Sequence, residues 1–171
     1  MTALIIIDMQ QALMRMNPWE AETVLGNICR LREKCREKNI PVIYVRHDDG
    51  GRSALEKGTA GWRIVPELTP AEDERVFDKR FNSAFRFTGL HDHLQGMGVR
   101  KLILCGMQTE YCMDTTVKTA FERGYQVTVP RMTTTTFDND LTDGGTLTRY
   151  YEDHIWAGRF ADVVDLEALR L

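Results

Sequence analysis

The chain has 171 residues and a formal net charge of −3, from 25 acidic and 22 basic side chains. With 43% hydrophobic and 27% charged residues it has the ordinary globular mixture, which excludes a disordered chain. The near-balanced charge excludes electrostatic capture of nucleic acid or an anionic membrane.

The first element is a strand over residues 4–7, a continuous run of Leu and Ile of the kind buried on both faces of a parallel sheet. The apolar run Ala3-Leu4-Ile5-Ile6-Ile7 ends at Asp8, too short for a membrane-spanning helix and without the basic lead of a signal peptide. A helix over 20–38 follows, since Val24, Ile28, Leu31 and Cys35 recur at spacings of 4, 3 and 4. Asn39 and Pro41 end it, and 42–45 reads as the second strand. Residues 46–74 hold four glycines, two prolines and few periodic apolar positions, so a long functional loop anchored by Trp62 is expected there. Beyond it the pattern predicts a strand at 75–77, a helix at 90–97, a strand at 101–105 and a turn at Gly106. A helix at 111–123, a strand at 126–129, a helix at 141–156 and a sixth strand at 162–164 complete the chain. Alternating strands and helices without a repeat or linker predict one α/β domain over 1–171: a three-layer αβα, doubly wound, six-stranded parallel sheet.

Four cysteines, at 29, 35, 105 and 112, include no C-x-x-C pair. On one helix, Cys29 and Cys35 would stand roughly 9 Å apart, too far for a disulfide. Free thiols without an export signal point to a reducing cytoplasm.

Ligands of a doubly wound sheet bind at the carboxyl ends of its strands. Asp8, Lys79 and Cys112 all fall at such ends. Together they form a set suited to nucleophilic catalysis: a thiol, a cation to lower its pKa toward neutrality, and a carboxylate to carry its proton. The turn from Gly106 to Cys112 could present backbone N–H groups to an oxyanion. Each residue type also has a plain structural role, a cysteine as a small apolar filler and an aspartate as a turn former. Cys105, within an apolar strand, and the helical Cys29 and Cys35 read as packing residues. No glycine-rich turn follows the first strand, no P-loop motif exists, and neither serine sits in G-x-S-x-G.

Three segments resemble the isochorismatase-like cysteine hydrolases, among them isochorismatases, nicotinamidases and carbamoylsarcosine amidases. They are Leu4-Ile5-Ile6-Ile7-Asp8-Met9-Gln10, Lys79-Arg80-Phe81-Asn82-Ser83-Ala84-Phe85 and Gly106-Met107-Gln108-Thr109-Glu110-Tyr111-Cys112-Met113-Asp114-Thr115-Thr116. The resemblance implies a catalytic Asp8–Lys79–Cys112 triad, a cis peptide at Met107–Gln108, an oxyanion site at the amides of Gln108 and Cys112, and strand order 3-2-1-4-5-6. It further implies hydrolysis of a small-molecule amide, ureido or lactam C–N bond through a thioester, in a homodimer or homotetramer. Aromatics at Tyr150, Tyr151 and Trp156 are expected to serve that assembly. Nicotinamidases of this family hold a metal with an Asp-x-His pair after the second strand, whereas this chain has His47-Asp48-Asp49; no metal and no cofactor are expected. Candidate pocket residues are Gln10, His47, Trp62, Phe81, Phe85 and Tyr111, although the aromatics would serve equally well as core. A metal-assisted nicotinamidase, an isochorismatase-type vinyl ether hydrolase and an idle binding module on the same fold are the alternatives.

Overall fold

The structure, a computed structural model, describes residues 1–51 and 53–171; Arg52, inside the loop expected over 46–74, lies outside the described residues. Its centre is β1 (Thr2–Ile7), whose Ala3 to Ile7 are all buried. Hydrogen-bonded in parallel on either side are β2 (Val42–His47) and β4 (Lys101–Met107). Outward lie β3 (Arg75–Lys79) beyond β2, and β5 (Gln126–Pro130) then β7 (Asp162–Val164) beyond β4. The strand order is therefore 3-2-1-4-5-7.

Alternation along β1 divides the core in two. Ala3, Ile5 and Ile7 face one layer with Leu90 and Leu94 of α3 (Leu90–Gly96) and Val117 and Ala120 of α4 (Asp114–Glu122). Leu4 and Ile6 face the other with Val24, Ile28, Leu31 and Cys35 of α2 (Ala21–Glu37), which follows the single-turn α1 (Gln11–Arg15). All four of those α2 residues are fully buried, at about 1.5–3 kcal/mol for each large aliphatic. The chain matches a three-layer doubly wound fold.

Three local expectations need correction. The strand at 162–164 is the seventh, because a two-residue β6 (Thr134–Thr135) pairs with the end of β4. Two residues carry no periodicity, and buried threonines look like loop residues in sequence; here Thr133 Oγ1 donates to the Pro130 carbonyl at 2.6 Å. The helix expected from 141 starts as α5 (Gly144–Tyr150), set by Asp143, whose carboxylate accepts the Thr146 N–H at 2.8 Å, and it widens to a π-helix over Tyr151–Trp156. Trp156, expected at an assembly surface, is fully buried and donates its indole N–H to Asp114 at 2.9 Å. Among the described residues, no helix is long and apolar enough to cross a membrane.

Candidate active site

Parallel register brings the strand ends together. Ile7 stands opposite both Val45 and Gly106, and His47 stands opposite Lys79. Asp8, first past β1, adopts a left-handed conformation (φ 53°) and donates its N–H to the Val45 carbonyl at 2.9 Å. Past β4, a cis peptide joins Met107 to Gln108, and a π-turn over Thr109–Met113 leads into α4. This turn replaces the first part of the helix expected at 111–123; the Gln108 carbonyl accepts the N–H groups of both Tyr111 and Met113. Cys112 sits on that turn.

The Lys79 ammonium is the hub of the site and is buried. Its Nζ lies 2.6 Å from Asp8 Oδ2, 3.0 Å from His47 Nδ1 and 3.1 Å from Cys112 Sγ. Burial favours loss of the lysine proton, but the Asp8 carboxylate and Cys112 sulfur outweigh it and hold the pKa above its ordinary value. Burial, reinforced by Asp8, pushes the Cys112 thiol up to about 12, and Lys79 offsets this only in part. Asp8 Oδ1, also buried, accepts no hydrogen bond from the described residues, leaving an open acceptor for a proton.

A cavity of about 240 Å³ opens onto these groups. Asp8, His47, Cys112 and Gln108 line one side, and Leu13, Leu55, Tyr111, Asp49 and Asn82 complete it. It has room for a small molecule, below the usual range for ligand pockets. The chemistry available is attack by sulfur on a small electrophile beside a carboxylate and a fixed cation.

A family model described as isochorismatase domain matches residues 2–167. The chain belongs to the isochorismatase family. It is 30% identical to Nicotinamidase 3 of Arabidopsis thaliana over 98% of this chain and 86% of that one. It is also 30% identical to a streptothricin hydrolase of Streptomyces noursei, over 83% of this chain and 57% of that protein. A crystal structure of an isochorismatase from Pseudomonas putida KT2440 superposes with a TM-score of 0.90 at 30% identity, covering 99% of this chain and 90% of that one. The chain is thus an isochorismatase-family hydrolase.

Within this hydrolase, several candidate pocket residues have other places. Phe85 is a core residue, stacked on Tyr125 with ring centroids 5.9 Å apart. Trp62 is buried under the Arg46 guanidinium, 3.5 Å from its ring centroid, and does not line the cavity. Phe81 lies outside the cavity, edge-on to Phe87. Gln10 is buried and acts as a clamp: its Oε1 accepts the His47 N–H at 2.8 Å, and its Nε2 donates to the carbonyls of His47 and Trp62, both at 2.9 Å. His47 and Tyr111 do line the cavity, with the unanticipated Leu13, Leu55, Asp49 and Asn82. Asn82 had a signal, standing three residues after Lys79. Leu13 and Leu55 had none, because only the folded loop brings them to the same cavity.

The nicotinamidase type of metal set does not fit the family member described here. Asp48 spends its carboxylate on the loop, accepting from the N–H groups of Gly50 and Lys57 and from Arg80. Asp49 accepts from His47 Nε2 and Ser53. Among the described residues, the cluster able to ligate a metal is Asp8, His47 and Cys112, and the Lys79 ammonium already bonds to an atom of each.

Burial pushes the Asp48 carboxyl up, but the Gly50 and Lys57 N–H groups and Arg80 hold it below its ordinary value. A depressed pKa means that the stabilisation exists above the ordinary carboxylate value and is lost as pH falls through the folded value. Asp48→Ala is expected to cost about 1–3 kcal/mol at pH 7 and to speed hydrogen exchange at the Gly50 and Lys57 amides. Exchange measured on both proteins checks this; unchanged rates would remove Asp48 as the loop anchor.

Proposed function

We propose that the chain is a metal-independent cysteine amidohydrolase that cleaves a C–N bond of a small amide, ureido or lactam compound. The observation carrying this reading is that Asp8 and Cys112 line one small cavity and the buried Lys79 ammonium is bonded to both.

The raised thiol pKa makes proton transfer part of the attack. As Cys112 Sγ bonds to the substrate carbonyl carbon, its proton passes to Asp8, whose Oδ1 is open. The carbonyl oxygen becomes an oxyanion stabilised by the backbone amides of Gln108 and Cys112. Collapse breaks the C–N bond, and the leaving nitrogen takes the proton from Asp8. A thioester on Cys112 remains. Asp8 then deprotonates a water, which attacks the thioester; the acid leaves and the thiol regains its proton. Throughout, Lys79 holds Asp8 beside the sulfur through its bonds to both.

Incubation with a panel of small amides, ureido compounds and lactams, including nicotinamide and streptothricin, tests the proposal, with acid-quenched mass spectrometry to find an acyl group on Cys112. Hydrolysis without any adduct, and unaffected by mutation of Cys112, would refute it. Asp8→Asn gives a separate prediction. Loss of the carboxylate removes a charge that raises the thiol pKa and leaves the lowering by Lys79. Iodoacetamide should therefore alkylate Cys112 faster at pH 7 than in the wild type, while hydrolysis falls by about 10²–10⁴-fold. Equal alkylation in the two proteins would show that Asp8 does not govern the thiol.

A further inference from the structure

We propose that His47 is a positioning residue for Lys79, acting as a neutral imidazole whose Nδ1 accepts the third proton of the ammonium. The inference rests on the amidohydrolase reading for its kinetic consequence, and on geometry alone for its structural one.

A lysine ammonium has three N–H donors and no acceptor. Lys79 Nζ has three partners: Asp8 Oδ2, Cys112 Sγ and His47 Nδ1. An imidazole nitrogen facing an ammonium at 3.0 Å can only be the unprotonated one. The proton then belongs on Nε2, which lies 2.9 Å from Asp49 Oδ1. Asp49 is itself held, its Oδ2 accepting from Ser53 Oγ at 2.9 Å. The ring's backbone is fixed as well, since Gln10 binds both the N–H and the carbonyl of residue 47. Asp49 thus sets the tautomer, and the tautomer aims Nδ1 at Lys79.

The consequence is directional. With all three N–H groups engaged, the ammonium has one orientation in which it touches the carboxylate and the sulfur together. Without Nδ1, one buried N–H loses its partner and Lys79 is free to turn away from Cys112. That loss should appear in the chemical step rather than in substrate binding, because His47 touches the ammonium and not the bond to be cleaved.

The test uses which nitrogen each replacement can imitate. An asparagine oxygen can occupy the place of Nδ1, whereas a glutamine amide reaches the place of Nε2. His47→Asn should keep kcat within about threefold of wild type. His47→Gln and His47→Phe should lower kcat by about 10–100-fold with little change in KM. Glutamine performing as well as asparagine would overturn the proposal, as a role confined to the Asp49 contact would give that result. A readout that needs no substrate accompanies it: a long-range proton–nitrogen correlation spectrum at pH 7.5, with His47 assigned by comparison with His47→Asn. The expected spectrum shows Nε2 protonated and Nδ1 bare, with the Nδ1 resonance shifted in Lys79→Met. An Nδ1–H tautomer, an imidazolium, or an Nδ1 resonance indifferent to Lys79→Met would refute it. A wild type inactive on every amide, with the expected spectrum, would count against the amidohydrolase reading and leave the His47 contact standing.

Discussion

Replacing Cys112 with alanine should yield a folded hydrolase whose turnover is lower by at least about 10⁴-fold, the scale seen when a covalent nucleophile is removed. The lost sulfur is a terminal atom on a half-buried turn, and Lys79 keeps its bonds to Asp8 and His47. The melting temperature should therefore move by only a few degrees, and circular dichroism on the same preparations separates lost chemistry from lost fold. Binding of a slow substrate should survive, since the cavity walls at Leu13, Leu55 and Tyr111 are untouched. Substantial turnover by the alanine variant would leave the strand-end cluster as a binding site only.

The second large effect belongs to Gly106. It pairs with Ile7 in the middle of the sheet and has a φ of 122°, a conformation that side chains rarely allow. A Cβ added there would overlap the Ile7 backbone, its carbonyl oxygen first. Neither strand can move aside without opening a six-residue parallel ladder between β1 and β4. Gly106→Ala should destabilise the fold by about 3 kcal/mol or more, a drop of roughly 6–12 °C in melting temperature. Gly26, within α2 and with nothing within 4 Å of its would-be Cβ, is the control; Gly26→Ala should stabilise by about 0.5–1 kcal/mol. Thermal unfolding of the two variants gives both numbers. An undestabilised Gly106→Ala would mean that β1 and β4 can yield at their ends.

The sheet and the cluster were legible for one reason: both depend on the order of short segments. A Leu/Ile run ending in Asp8, and Lys79 and Cys112 just after later strands, meet in any parallel sheet that sets those strands side by side. The electrostatics did not follow from that order. Whether Cys112 is tuned down by Lys79 or up by Asp8 depends on burial and on which atom faces the sulfur, and burial with Asp8 prevails. The aromatics misled for a different reason. Trp62 and Phe85 are as suited to a core as to a pocket, and Trp156 is as suited to a core as to an interface; identity alone does not say which. Gln10 was assigned to the right neighbourhood and the wrong task, since a side-chain amide that pairs with backbone on both edges looks in sequence like any polar contact residue.

That clamp also separates the reactive floor of the cavity from its roof. The reactive atoms of this hydrolase hang from strand ends, while Leu55 and Asp49 come from the segment between β2 and β3. Gln10 joins the two regions through main-chain atoms of His47 and Trp62, so the join makes no demand on the side chain carried at position 62. A change of side chain at position 62 leaves that join in place. One floor can therefore carry a ceiling whose side chains are set independently of it.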